Sequence, residues 1–530
     1  MKKILYIYTV LLTALMVGFT SCDDYFDVRP QSETILEDFW KNESDVKSAV
    51  GGCYRAMLEE GFLKRMIVWG EVRSDNVLAG SNILADDDDA RALNRILTLS
   101  LTGDNTYTYW GEIYAVINNC NSVIHYAPSV QLKDPNFTTV QLNTYISEAK
   151  AIRSLCYFAL LRTFRDIPLV TEPTIDDSKS FEVFQAEPDS IIDFMIKDLK
   201  SVENVAMTTF KNNEGYNRGR ITQKAIWALL ADIYLWKNDY ENCVTYCDKI
   251  LNSADYRTDL TLMPSATYNN QVFLNGNSKE SIFELQFDYQ TRSDVLYKFY
   301  SYESTPNVST VYLLSSYDFE SSRNALFTSS DLRAKNSGYY PSNVPDDGYY
   351  SIMKYVYGRS GLSTSKNDYF SSYGTYPHWI LYRLPDVYLM KAEALVEIGG
   401  DTNLEAAYEL VKLTYDRANP DKMLPDEYGS PYDSQSAMRN FVFDERQREF
   451  LFEGKRYFDL VRRINREGST TYVVNNYLVR KYPKIDALTV RTKLASINAF
   501  YMPINNGERK LNPNLDQNPY YDTSGNISKN

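Results

Sequence analysis

Apolar positions along most of this chain recur at intervals of three, four and seven, the period of a helix with one buried face. Trp110, Ile113, Tyr114, Ile117 and Ile124 share one such face, and Ala149, Ile152, Cys156, Ala159 and Leu160 share the next. A third helix is expected over 222–236, stopping near Asn238-Asp239, with a fourth directly behind it over 240–251. Helix, tight turn, helix is the unit of tetratricopeptide-like scaffolds, which bury their faces only by stacking on neighbouring pairs. Tyr234, Tyr240 and the small residues Ala228 and Ala231 suit that packing. A further pair is expected at 387–397 and 404–418, separated by the strong stop Gly399-Gly400, and another helix over 440–466. The fold class is therefore mostly α, built from helical pairs.

The pattern changes between about 257 and 379, where Ser, Asn, Gly and Tyr dominate and only short strand-like runs such as 281–286 interrupt them. Sixteen of the 44 tyrosines lie between Tyr289 and Tyr382, so this lobe is enriched in a residue that offers a flat apolar face and a polar tip at low entropic cost. Sugar rings stack on such faces while Asn, Asp and Gln bond their hydroxyls. Most individual tyrosines in a large helical domain are nonetheless packing residues.

The first 21 residues carry Lys2 and Lys3, an apolar run and then Thr20-Ser21, a secretory leader too short and wrongly flanked to be a membrane span. Phe19-Thr20-Ser21-Cys22 resembles a lipobox, so Cys22 is the expected lipid attachment point, with acyl chains anchoring the mature chain to a membrane. The formal charge of −13 becomes −15 on loss of Lys2 and Lys3, which excludes nucleic acid as a partner on electrostatic grounds. Five cysteines remain (Cys53, Cys120, Cys156, Cys243 and Cys247), too sparse for a disulfide framework. Cys243 and Cys247 are one turn apart but lack further nearby ligands, so no metal or cofactor is expected. Asp86-Asp87-Asp88-Asp89 lacks the spacing of a calcium loop and reads as a solvated charge run. His125, placed at a helix end, and His378 are the two histidines, and no metalloprotease, nucleophile-elbow or phosphate-loop motif is present. The chain is not expected to be an enzyme, although abundant carboxylates leave a glycosidase-type pair open.

Several segments together resemble the SusD/RagB family of outer-membrane lipoproteins in polysaccharide and peptide uptake. They include Asp166-Ile167-Pro168-Leu169-Val170, Gly219-Arg220-Ile221-Thr222, Arg383-Leu384-Pro385-Asp386-Val387-Tyr388-Leu389 with Ala392-Glu393-Ala394, Glu445-Arg446 with Phe452-Glu453-Gly454, and the closing Asn512-Pro513-Asn514-Leu515. Asn505 and Tyr520 depart from the family's closing motif. The physical reading of these motifs is structural: Glu445, Arg446, Glu449, Glu453 and Arg456 stand at spacings that allow ion pairs within one helix, and Arg383 and Asp386 lie at a helix start. The residue pattern divides the chain into a leader over 1–21, a tether over 22–38 and a single domain over 39–530. Within that domain the helical scaffold spans about 39–256 and 380–466, the loop-rich lobe about 257–379, and a C-terminal segment 467–530.

The resemblance implies a cell-surface protein that captures an oligo- or polysaccharide, or a peptide, and delivers it to a SusC-like TonB-dependent transporter. Tyr297, Tyr300 and Tyr302 are the expected stacking residues, with Asn82 and Asn307 as hydroxyl partners and Trp69 as a weaker candidate. The alternatives are a scaffold subunit that binds only the transporter, and a surface glycosidase.

Overall fold

A computed structural model describes residues 39–79, 87–174, 182–211, 213–300, 376–421, 433–482 and 484–522, with short pieces at 313–315, 326–328, 330–333, 350–352 and 354–355. Helices dominate. The first is α1 (Glu43–Met57), held at its start by a capping box in which Asn42 and Asp45 bond each other's backbone. α2 (Glu60–Ile67) runs into a π-helical turn, Val68–Val72, and then β1 (Val77–Ala79). α3 (Asp88–Leu97), α4 (Gly111–Gln131) and α5 (Thr139–Phe164) follow. Behind a short β2 (Ile167–Pro168) and β3 (Gln185–Ala186) come α6 (Pro188–Lys200), α7 (Glu214–Gly219), α8 (Gln223–Trp236) and α9 (Tyr240–Leu251). After the lobe, α10 (Leu384–Ile398), α11 (Asp401–Ala418), α12 (Gln435–Glu449) and α13 (Arg456–Glu467) complete the set used below.

The expected pairs are present and stacked in order. α4 lies on α5, α8 on α9 and α10 on α11, with α9 packed on α10 and α12 on both α10 and α11. Thr222 caps the start of α8 through the Ala225 amide, and Asp239, in the tight turn, caps the start of α9 through that of Asn242, so the first residue of each helix is set by a local side chain. Gly399 and Gly400 take φ of 79° and 88° between α10 and α11, which a side chain with Cβ rarely adopts. His125 sits inside α4, not at a helix end.

One expectation is overturned. The helix over 440–466 is two helices, broken between Glu449 and Arg456 where Phe452 and Gly454 have φ of 66° and 70°. The charges that suggested continuity have other partners. Glu449 accepts from Arg383 Nη1 at 2.5 Å, Arg417 Nη2 at 2.5 Å and Arg333 Nη1 at 2.9 Å. Arg446 pairs with Asp459 at 2.9 Å and Arg456 with Asp75 at 2.9 Å. Within α12 itself, Glu445 with Arg448, at 2.8 Å, is an i,i+3 pair. The motif residues do pin the frame, but across the fold.

Arg383 is the hub. It is wholly buried and donates to Glu453, Glu280 and Glu449 side chains and to the Glu449 carbonyl. Burial works to raise the Glu453 carboxyl, but Arg383, Lys354 and Lys455 outweigh it and hold the group at about 2. Glu449 is likewise held well below the carboxylate range, its burial overcome by Arg417, Arg383 and Arg333. A carboxylate with a depressed folded pKa stabilises fully above its unfolded value and loses that contribution as pH falls through the folded one. Stability should therefore drop between pH 4.5 and about 2, by about 3 kcal/mol from Glu453 alone. Glu71, pushed up to about 7 by burial, works in the opposite direction between pH 7 and 4.5, so the loss is confined below that window. Urea midpoints measured across pH 7 to 2 check this, and a midpoint unchanged below pH 4.5 contradicts it.

Candidate ligand-binding surface

At the edges of the stretch expected to form a loop-rich lobe, β4 (Ser281–Leu285) pairs antiparallel with β5 (Trp379–Arg383), Leu285 opposite Trp379 and Ser281 opposite Arg383. The strand expected at 281–286 is thus present, and it joins the lobe's beginning to its end. Charge fixes the lobe to the scaffold as well. Arg333 donates to Asp331, Glu445 and Glu449, and Lys354 donates to the Glu449 and Leu451 carbonyls and to Glu453 at 2.5 Å. All of these side chains are buried. Breaking one such pair leaves an uncompensated interior charge, which is costly.

Two of the described tyrosines here, Tyr300 and Tyr355, build an internal pillar with Trp379, whereas Tyr289 is 79% exposed. Tyr300 stacks on Tyr355 with centroids 6.2 Å apart at 15°, and Tyr355 on Trp379 at 5.4 Å and 27°. Tyr300 is 0% exposed, which corrects the expectation that its ring meets a ligand: its faces belong to the core. Trp69 is also interior, 1% exposed, with its indole N–H donating to the Tyr107 carbonyl at 2.9 Å. Tyr297 falls in the short helix Asp294–Phe299. Tyr302, Asn82, Asn307 and Cys22 lie outside the described residues.

Strands Val77–Ala79, Leu313–Ser315 and Tyr350–Ser351 form a three-stranded antiparallel sheet in which Ala79 faces Leu313. Beneath it the backbone is held by buried polar groups. Glu71 accepts from Asn76 Nδ2 at 2.6 Å and from the Gly454 amide at 2.9 Å, and Gln447 Nε2 donates to Asp75 and Asn76, each at 2.8 Å. Lys481 donates to the Val72 carbonyl and to that of Ser74; burial pushes its ammonium down to about 7.

The remaining sequence candidates resolve into structural roles. Asp87 caps α3 by accepting from the Ala90 amide at 2.7 Å, and Asp89 pairs with Lys64. The five cysteines after Cys22 are buried and free. His378 Nδ1 sits 2.7 Å from Glu284 beneath the lobe. Among the described residues no group of three or more His, Cys, Asp or Glu could hold a metal ion, and no described helix is long and apolar enough to cross a membrane.

Sequence reasoning missed the open clefts, because residues far apart in the chain line them. One of about 400 Å³ runs between α4 and the C-terminal segment, with Tyr109, Tyr114, Asn118 and Leu511 among its walls. Its amides are already committed: Asn118 accepts from the Thr174 amide at 2.7 Å, and Asn121 donates to the Val170 carbonyl at 3.0 Å. A second cleft lies at the ends of α5, α6 and α8.

Comparison with known proteins bears on what these surfaces serve. Residues 197–521 match the model of the SusD family, and residues 24–235 match a model described as starch-binding associating with outer membrane. SusD-like protein P38 of Formosa agariphila is 24% identical, the match covering 87% of this chain and 92% of that one. A SusD superfamily protein of Bacteroides thetaiotaomicron superposes with a TM-score of 0.69 at 20% identity, covering 90% of this chain and 100% of that one. Surface glycan-binding protein A of the same species, solved in complex with laminarihexaose, gives 0.66 at 19% identity with the same coverage. At these identities the structural likeness is one of fold.

Proposed function

The chain belongs to the SusD family, and from that premise we propose that it is a surface lipoprotein, anchored through Cys22 in the outer membrane, that captures a glycan and passes it to a SusC-like TonB-dependent transporter. The observation that carries this reading is the fold shared over 90% of the chain with a glycan-binding protein solved with laminarihexaose. The outer-membrane association described for the matching family model supports the location. The lobe's tyrosine and asparagine content supplies the chemistry: rings for the C–H faces of sugars and amides for their hydroxyls. The protein holds and transfers, and breaks no bond.

Stacking of a flat ring on an aromatic side chain is worth about 1–3 kcal/mol for nucleobases, and a contribution of that order is expected from each stacking residue here. The leaderless protein should be slowed in native gels containing at least one of a panel of polysaccharides. Tyr302→Ala and Asn307→Ala should each restore most of its mobility in that gel, with no shortened product released. In cells, Cys22→Ala should abolish cell-associated glycan without altering the purified protein's retardation. Free migration through the whole panel would sink the glycan reading.

A further inference from the structure

We propose that the cleft at the ends of α5, α6 and α8 is a second carbohydrate contact that takes one uncharged pyranose unit; the proposal rests on the glycan-binding reading above. α5 stops at Phe164, and the next residue, Arg165, has φ 70° and ψ −71°. The Asp166 amide donates to the Phe164 carbonyl at 3.0 Å, closing a three-residue turn of the rare, strained hand. Glycine tolerates positive φ without a Cβ penalty, and glycines follow two other helices at positive φ, Gly399 and Gly468, though with different ψ. Stopping a helix does not call for an arginine here. Strain retained at one residue points to a role for its side chain. The Arg165 side chain is 46% exposed, and its guanidinium meets Asp166 at 3.6 Å, too far for a hydrogen bond.

That side chain borders a cleft of about 320 Å³, within the size range of small-molecule sites. On another wall α8 ends in Trp236, half-buried and edge-on to Phe158 at 6.1 Å and 89°, followed by exposed Lys237 and by Asn238 at φ 62°. Glu187 and Asp189 open α6 on a third. Asn465 closes the site, its Nδ2 donating to Tyr501 Oη at 2.8 Å and leaving its carbonyl oxygen as an acceptor.

Two basic side chains face two acidic ones, and Lys237 is further paired with Asp193 at 2.6 Å. No net positive charge is left to favour an anionic ligand. Donors, acceptors and a half-buried indole line the same cleft, which matches a ring that has hydroxyls on its rim and C–H bonds on its face. The chemistry selects a neutral sugar unit.

Arg165→Gly separates a binding role from a structural one, because it removes the guanidinium and relieves the backbone together. The variant should melt at the same temperature as the parent or higher, while its affinity for the panel glycan that the parent retains falls about tenfold, the worth of one charge-assisted hydrogen bond. With 5-fluorotryptophan in place of the six tryptophans and Trp236→Phe to assign the resonance, that glycan should shift the Trp236 fluorine signal. A glycan that binds the parent with Trp236 unmoved and Arg165→Gly unaffected overturns this cleft and leaves the glycan reading standing. A parent that retains none of the panel overturns both.

Discussion

Arg383→Met should cost the protein about 3–5 kcal/mol of stability, the range found when one partner of a buried ion pair is removed. Arg383 is 0% exposed and its fork meets Glu280 at 2.7 Å, Glu449 at 2.5 Å and Glu453 at 2.8 Å. Methionine keeps much of the volume and removes the charge, so the cost reports electrostatics more than a cavity. Arg417 still reaches Glu280 at 3.0 Å and Glu449 at 2.5 Å, and Lys354 still reaches Glu453. Those contacts keep the penalty finite. Arg383→Lys retains the charge but offers three donors on one nitrogen in place of five on a planar fork, too few for the three carboxylates and the Glu449 carbonyl as Arg383 holds them, so its loss should be intermediate. The cause has its own signature in pH. As the stranded carboxyl groups take up protons the gap between variant and parent should narrow, so urea midpoints compared at pH 7 and pH 4 should converge. A gap that is constant with pH, or below about 1 kcal/mol, contradicts the assignment of Arg383 as the hub.

Gly70→Ala should be of similar severity for a steric reason. Gly70 lies in the π-helical turn after α2, and an added Cβ would stand 1.8 Å from the Gly454 carbonyl oxygen and 2.5 Å from its carbon. Both are backbone atoms and cannot rotate away. Gly454 has no room to retreat either, since its φ is 70° and its own Cβ position is 2.8 Å from Trp379. Overpacking of this kind costs about 1–3 kcal/mol or more, and here it would separate the N-terminal helices from the break between α12 and α13. The variant should lose most of its soluble folded yield, with a clearly lower melting temperature in what remains. Gly51→Ala is the control: it lies within α1 with nothing within 4 Å of an added Cβ, so it should gain about 0.5–1 kcal/mol from helix propensity. If the two alanines behave alike, close approach is not what Gly70 provides.

Much of the scaffold was legible because its signals are local. α9 spans the expected 240–251, α8 begins one residue inside the expected range behind its Thr222 cap, and the Gly399-Gly400 stop falls between α10 and α11. The expected helix over 440–466 failed for an instructive reason. Glu445, Glu449, Glu453 and Arg456 have the spacing of helical ion pairs, but Glu449 and Glu453 are bound by Arg383, 66 and 70 residues away. Phe452 and Gly454 then turn the chain. The glycine in Phe452-Glu453-Gly454 was the available sign.

The candidate site was less legible. Tyrosine density singled out a stretch of chain, but a tyrosine in the core and one on a loop have the same composition, and Tyr300 turned out to support Tyr355 and Phe452. Arg165 carried no signal of its own, because strain is a property of backbone angles. Helical period, caps and glycine stops act between residues a few positions apart, so they determined the class of fold from sequence alone. Which charge pairs with which, which ring is covered, and which helix ends meet around a cleft depend on residues brought together only when the helices stack, and these the tertiary structure decided.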